Sequence, residues 1–177
     1  MKITLEKNFD AEGSVDKVWG YLIDPHEIVQ CVPGVILKDQ VNETTYKGDV
    51  ALKFGPVTAK YNGEVTYEKI DPDNHNLILV GKGLDAKGKG SAEMELNILL
   101  EKSTDDATRV KTIMTVSIVG MLAQFGSRLI NDVSDQLFNQ FVKNFQNKLS
   151  GGEISESDKN IKGGKMMGSI VKGIFKK

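Results

Sequence analysis

The chain carries a single cysteine, Cys31, so no internal disulfide can form. It has two histidines, His26 and His75, and with Cys31 they give no metal-ligand spacing. No apolar run approaches the roughly 20 residues a membrane-spanning helix needs. The first seven residues alternate like a strand and lack the continuous apolar stretch of a signal peptide, so a cytoplasmic chain is expected. Neither sign of charge dominates. Lys and Arg number 23 and Asp and Glu 24, for a net charge of -1. That balance is poor support for nucleic-acid binding, and none is expected.

The balance hides an asymmetry. Residues 1–149 hold 17 basic and 21 acidic side chains, and residues 150–177 hold six lysines and three acids. From Lys159 onward every charged side chain is a lysine. A mildly acidic body with a basic end suits a tail that meets an anionic surface.

The body is organised around residues 121–149. Leu122, Phe125, Leu129, Val133, Leu137, Phe141, Phe145 and Leu149 recur every three or four residues and share a helical stripe. Ile130, Phe138 and Val142 widen it into a face that can lie on a sheet. Ser150-Gly151-Gly152 is a plausible stop.

Strand patterns fill most of the preceding sequence. Ile3, Leu5 and Phe9 alternate with polar residues over 2–9. Ser14 caps a short helix with Val15, Val18, Trp19 and Leu22 on one side. Asp24-Pro25 breaks it and opens a second short helix over 25–31, which Pro33-Gly34 ends. Residues 43–54 place Tyr46, Gly48, Val50, Leu52 and Phe54 on one face. Residues 57–68 repeat the pattern after Gly55-Pro56, with Ala59, Tyr61, Gly63, Val65 and Tyr67 facing the same way. A shorter strand is expected over 77–80, and further strands over 91–98 and 110–118. Strands and helices in separate runs indicate an α+β domain with a mainly antiparallel sheet.

The apolar strand faces read as free of acid, histidine and lysine. Gly48, Gly63 and Gly90 leave them without side chains at three points. Those glycines fit either an apolar cavity under the helix or a sheet that must coil. Facing direction selects Tyr46, Val50, Phe54, Tyr61, Met94, Met114, Phe125, Leu129 and Val133 as cavity residues. Tyr46 or Tyr61 can donate to a carbonyl.

Several chemical motifs fail on context. Gly83 to Lys89 fits a P-loop up to its lysine, but Gly90 replaces the metal-binding hydroxyl and a strand replaces the helix. Asp24, His26 and Cys31 lie close in sequence without the spacing of a shared face. A buried thiol, a surface histidine and a solvated His75 are expected, with Trp19 in the core. No catalytic residue is assigned.

Asp16-Lys17-Val18-Trp19, Asp24-Pro25 and Cys31-Val32-Pro33-Gly34-Val35 resemble the entry signature of the CoxG-like family, named for the G subunit of carbon monoxide dehydrogenase. That family belongs to the START-like, Bet v 1-like (SRPBCC) superfamily. Tyr46-Lys47-Gly48, Phe54-Gly55-Pro56-Val57 and the glycines of 81–90 extend the resemblance over residues 1–149. It implies a helix-grip fold, a curved antiparallel sheet around a long C-terminal helix with an apolar cavity between them. It also implies a non-catalytic accessory role beside the subunits of a molybdenum hydroxylase, at the inner face of the cell membrane. The implied ligand is a quinone, with no tightly bound cofactor. A lipid-transfer module, or a cyclase-like or hydratase-like enzyme using the same cavity, are the alternatives.

Residues 150–160 read as a polar, Gly-rich flexible linker. In 161–177, Met166, Met167, Ile170, Val171, Ile174 and Phe175 fall on one half of a helical wheel, opposite Lys165, Lys172 and Lys176. This is the pattern of an interfacial amphipathic helix on an anionic membrane, too short to span it.

Overall fold

The computed structural model describes residues 1–159. The tail residues Lys165, Met166, Met167, Ile170, Val171, Lys172, Ile174 and Phe175 lie outside that range.

Seven antiparallel strands form one sheet. They are β1 (Lys2–Ala11), β2 (Val35–Gln40), β3 (Thr45–Phe54), β4 (Val57–Asp71), β5 (Asn76–Asp85), β6 (Gly90–Thr104) and β7 (Ala107–Gly120). Their spatial order is β1-β7-β6-β5-β4-β3-β2, so the first two strands in sequence are the two edges. Between those edges run α1 (Val15–Leu22), α2 (Pro25–Ile28) and a 3-10 turn, Val29–Cys31. The long helix α3 (Gly126–Leu149) lies on the concave face, and a short helix α4 (Glu156–Lys159) follows it. This is the helix-grip arrangement.

The caps act as their residue types dictate. The Ser14 hydroxyl accepts from the Lys17 amide at 3.3 Å, and the Asp24 carboxylate accepts from the His26 amide at 2.9 Å. At the far end of α3, the Lys17 ammonium donates to the Leu149 carbonyl at 2.6 Å, where a helix C-terminus favours a cation.

Several boundaries differ from the sequence reading, and β1, β6 and β7 all run beyond their expected ends. The helix expected from 121 begins at Gly126. Residues Met121–Phe125 form a 3-10 turn flanked by Gly120 and Gly126, whose φ values of 102° and 79° redirect the chain. The strand expected over 77–80 extends to Asp85, because β4 and β6 pair with it on both sides across Gly81 and Gly83. Residues Val35–Gln40 form an additional edge strand, whose irregular register between Leu37 and Gln40 blurs its alternation. β4 runs on past its expected end, and a register shift between Tyr67 and Lys69 leaves Ile70 exposed.

Gly48, Gly63 and Gly83 stand in one register row across β3, β4 and β5. A Cβ on Gly63 would lie 2.1 Å from the Lys82 carbonyl oxygen. Coiling of the sheet therefore accounts for this glycine directly.

Candidate functional site

The concave face holds two apolar clusters, one toward each end of α3. Phe9, Trp19, Tyr67, Leu77, Phe145 and Leu149 belong to the first, with Phe138 and Phe141 packed against it. Phe54, Tyr61, Ile118, Leu122, Ile130 and Val133 form the second, with Val50, Phe125 and Leu129 against it. Phe54 and Phe125 stack with ring centroids 6.4 Å apart and planes 5° from parallel. This stack joins the β3–β4 hairpin to the start of α3.

A pocket of about 100 Å³ lies between α3 and the strands β1, β6 and β7. Leu5, Leu96, Met114, Phe138 and Phe141 supply its apolar wall. Thr112 and Ser134 also line it, but their hydroxyls donate to the Lys7 and Ile130 carbonyls at 2.6 and 2.7 Å. Small-molecule sites usually span about 300–1,000 Å³, so this pocket is smaller than most.

Lys7 corrects the sequence reading that the inward faces carry no lysine. It lines the pocket and pairs with the Asp135 carboxylate from α3. Its ammonium also sits 6.0 Å from the Phe138 ring centroid. The signal was available, since residue 7 shares the parity of Ile3, Leu5 and Phe9. A lysine in an apolar series is easily taken for an irregularity in the pattern. Its four-carbon stem can line an apolar wall while its head reaches a carboxylate.

Of the nine cavity residues selected by facing direction, Met114 lines the pocket. Val50, Phe54, Tyr61, Phe125, Leu129 and Val133 meet in the second cluster. Tyr46 sits in the first, edge-on to His26 and Tyr67. Met94 is half-buried beneath Gly81. The pocket thus lies further along α3 than Phe125 to Val133, nearer Phe138 and Phe141.

The two tyrosines differ in availability. The Tyr46 hydroxyl accepts from the Gln40 side-chain amide at 3.2 Å. The Tyr61 hydroxyl has no hydrogen-bond partner among the described residues. Burial, with the Asp85 charge adding to it, raises its pKa, so it stays protonated and able to donate.

The remaining chemical candidates resolve into structural roles. The Asp85 carboxylate accepts from the Lys87 and Lys89 amides at 2.8 and 3.3 Å, so the glycine-rich turn has spent donors a phosphate would need. Cys31 is fully buried, and burial pushes its thiol up to about 11. His26 is exposed. His75 departs from the solvated state expected of it. Its ring meets Trp19 edge-on at 5.4 Å and lies 3.8 Å from the Asp16 carboxylate, because a φ of 49° turns it back onto α1. Among the described residues no cluster of His, Cys, Asp or Glu could hold a metal ion, and no helix is long and apolar enough to cross a membrane.

The family model for CoxG, the G subunit of carbon monoxide dehydrogenase, matches residues 8–150. The chain belongs to the CoxG family. Solved structures share the fold. A conserved protein from Geobacillus kaustophilus is 25% identical, with a TM-score of 0.76 over 84% of this chain and 96% of that one. A START superfamily protein from Mycobacterium smegmatis is 10% identical, with a TM-score of 0.59 over 84% and 97%. The ZhuI aromatase/cyclase from Streptomyces sp. R1128 is 9% identical, with a TM-score of 0.61 over 86% and 100%. The last two share the fold alone. No curated protein matches the chain. CoxG membership and the START-like fold together indicate a ligand-binding accessory protein.

Proposed function

We propose that this CoxG domain binds a quinone in its apolar interior and tethers a molybdenum hydroxylase of the carbon monoxide dehydrogenase type to the inner membrane face. The observation that carries the ligand half is an apolar pocket with one cation, Lys7, on its wall. A quinone needs an apolar surround for its ring and tail, and a donor for a carbonyl oxygen. Lys7, on the pocket wall, supplies that donor. Admitting the ring requires the Phe138 and Phe141 side chains to move away from Met114. The membrane half draws on the basic, amphipathic sequence of 161–177.

Titration with menadione, followed by quenching of Trp19 fluorescence, tests the ligand half. Saturable quenching is expected, with Lys7→Met weakening it by about 10-fold or more, since a charged hydrogen bond is worth about 1.5–3 kcal/mol. Met114→Trp fills the pocket and should abolish binding. Saturable binding that ignores Met114→Trp would move the site elsewhere, and absence of binding would end the quinone reading. Displacement of menadione by phosphatidylglycerol would favour lipid transfer.

Lys7 also gives a cyclase-like or hydratase-like enzyme the inward ionisable group it requires. That reading predicts a chemically altered ligand after incubation. The accessory reading predicts recovery of the ligand unchanged.

A further inference from the structure

The end of the domain closed by the Phe54–Phe125 stack carries exposed apolar side chains on its outer surface. Residues opposite one another on neighbouring strands share a face. Leu84 stands opposite Ser91, and Ser91 opposite Val119, so Leu84 and Val119 lie in one row on the outward face. They are 68% and 63% exposed, and Met121, two residues beyond Val119, is 36% exposed. Leu84 and Val119 flank Ser91 on the intervening strand β6, and exposed apolar side chains placed beside lysines without ion-pair partners suit an interfacial surface.

Four lysines rim this surface. Lys87 and Lys89 occupy the β5–β6 turn beside Leu84, and the Ala86 amide donates to the Lys60 carbonyl at 2.8 Å. Lys53 lies further along the β3–β4 hairpin. All four are exposed, and none has an ion-pair partner among the described residues. The turn's own carboxylate, Asp85, is folded back onto backbone amides.

The last described residue is tied to the strand that carries Lys53. The Gly34 amide donates to the Lys159 carbonyl at 2.9 Å, and the Gly34 carbonyl accepts from Ala51 at 2.8 Å. Ala51 stands opposite Lys60, which accepts from Ala86. One line of backbone hydrogen bonds therefore connects Lys159, the last described residue, to the lysine-bearing turn.

We propose that this end of the folded domain docks on an anionic lipid bilayer, as a second contact beside the tail. The apolar side chains enter the interface and the lysines meet lipid phosphates. Docking of this kind presents the Phe54–Phe125 end of the interior to the bilayer. The inference rests on the membrane half of the proposed function and is independent of the quinone half.

The test uses the full chain with an environment-sensitive dye on Leu84→Cys. A control carries the dye on Asp106→Cys, in the hairpin at the opposite end of β6. Native Cys31 is buried and does not compete for label. With phosphatidylglycerol vesicles, emission from position 84 should shift to the blue and rise several-fold while position 106 stays unchanged. Phosphatidylcholine vesicles should give no shift. Lys87→Glu with Lys89→Glu should weaken binding by roughly 10-fold or more. Co-sedimentation with position 84 unchanged would assign membrane binding to the tail alone and overturn the proposal. A blue shift without vesicles would assign the surface to the chain's own tail and overturn it equally, as would absence of vesicle binding. A response at position 84 without menadione binding would retain docking and remove the quinone reading. Menadione binding with a silent position 84 would do the reverse.

Discussion

Cys31 shows how a residue's setting replaces its generic chemistry. Its side chain is fully buried, and desolvation raises the thiol pKa from 9.0 to about 11 against a smaller lowering by Lys148. The folded state therefore keeps the proton to higher pH than the unfolded state does. Stability from this site is intact below pH 9 and falls as the pH rises from 9 toward 11. Urea unfolding at pH 8 and 10.5 should show a larger loss for the wild type than for Cys31→Ala. Equal losses would remove the thiol as the cause. Burial of this small thiol was legible in the sequence, because a free cysteine with no metal-ligand or catalytic spacing is among the most often buried residue types. The inward turn of Lys7 was not, although its parity allowed it. Its acidic partner, Asp135, is 128 residues away, and local pattern carries no information about that pairing.

Among the elements, β4 states the sheet's geometry most sharply. Its alternation from Val57 to Tyr67 is legible residue by residue, with the odd positions turned inward. The meaning of Gly63 was open between a cavity and a coil, and the neighbouring strand resolves it. A methyl group there meets the Lys82 carbonyl oxygen at 2.1 Å, and backbone cannot yield as a flexible side chain can. Gly63→Ala should lower stability by about 1–3 kcal/mol. Gly20 provides the control, because it lies on the exposed side of α1 with nothing within 4 Å of an added Cβ. Gly20→Ala should raise stability by about 1 kcal/mol. Thermal denaturation of both variants checks the pair, and a shift of the same sign in each would count against the account. The start of α3 teaches a similar lesson. Its apolar stripe runs smoothly through 121–126, yet Gly126 at φ 79° breaks the helix there.

In the whole molecule, Asn144 ties three parts of the chain together. It is 2% exposed on α3, and its side-chain amide donates to the Cys31 and Asp158 carbonyls, each at 3.1 Å. Gln140 donates to its oxygen at 2.8 Å. The stretch from 150 is polar and Gly-rich, and further contacts hold it to the domain. Asn147 donates to the Glu153 carbonyl, Lys143 pairs with Asp158, and Ile154 packs on the first cluster. Asn144→Ala leaves a buried carbonyl unpaired and should cost about 1–3 kcal/mol. Amide exchange over residues 154–159 should accelerate more than in β6 or β7. Uniform acceleration would mean that Asn144 supports the whole fold rather than this anchor.

Sequence alone determined most of the element types, the apolar stripe of the long helix, the caps at Ser14 and Asp24, and the family resemblance. These depend on period, turn chemistry and neighbouring residues, all local properties of the chain. Tertiary structure decided that the pocket sits by Phe138 and Phe141, that Lys7 meets Asp135, and that Leu84 and Val119 share a row. It also brought Lys159 beside Gly34. Periodicity sets the direction a side chain points. Which residue it meets depends on strand register and on where the helix crosses the sheet, and those are set by packing between distant segments.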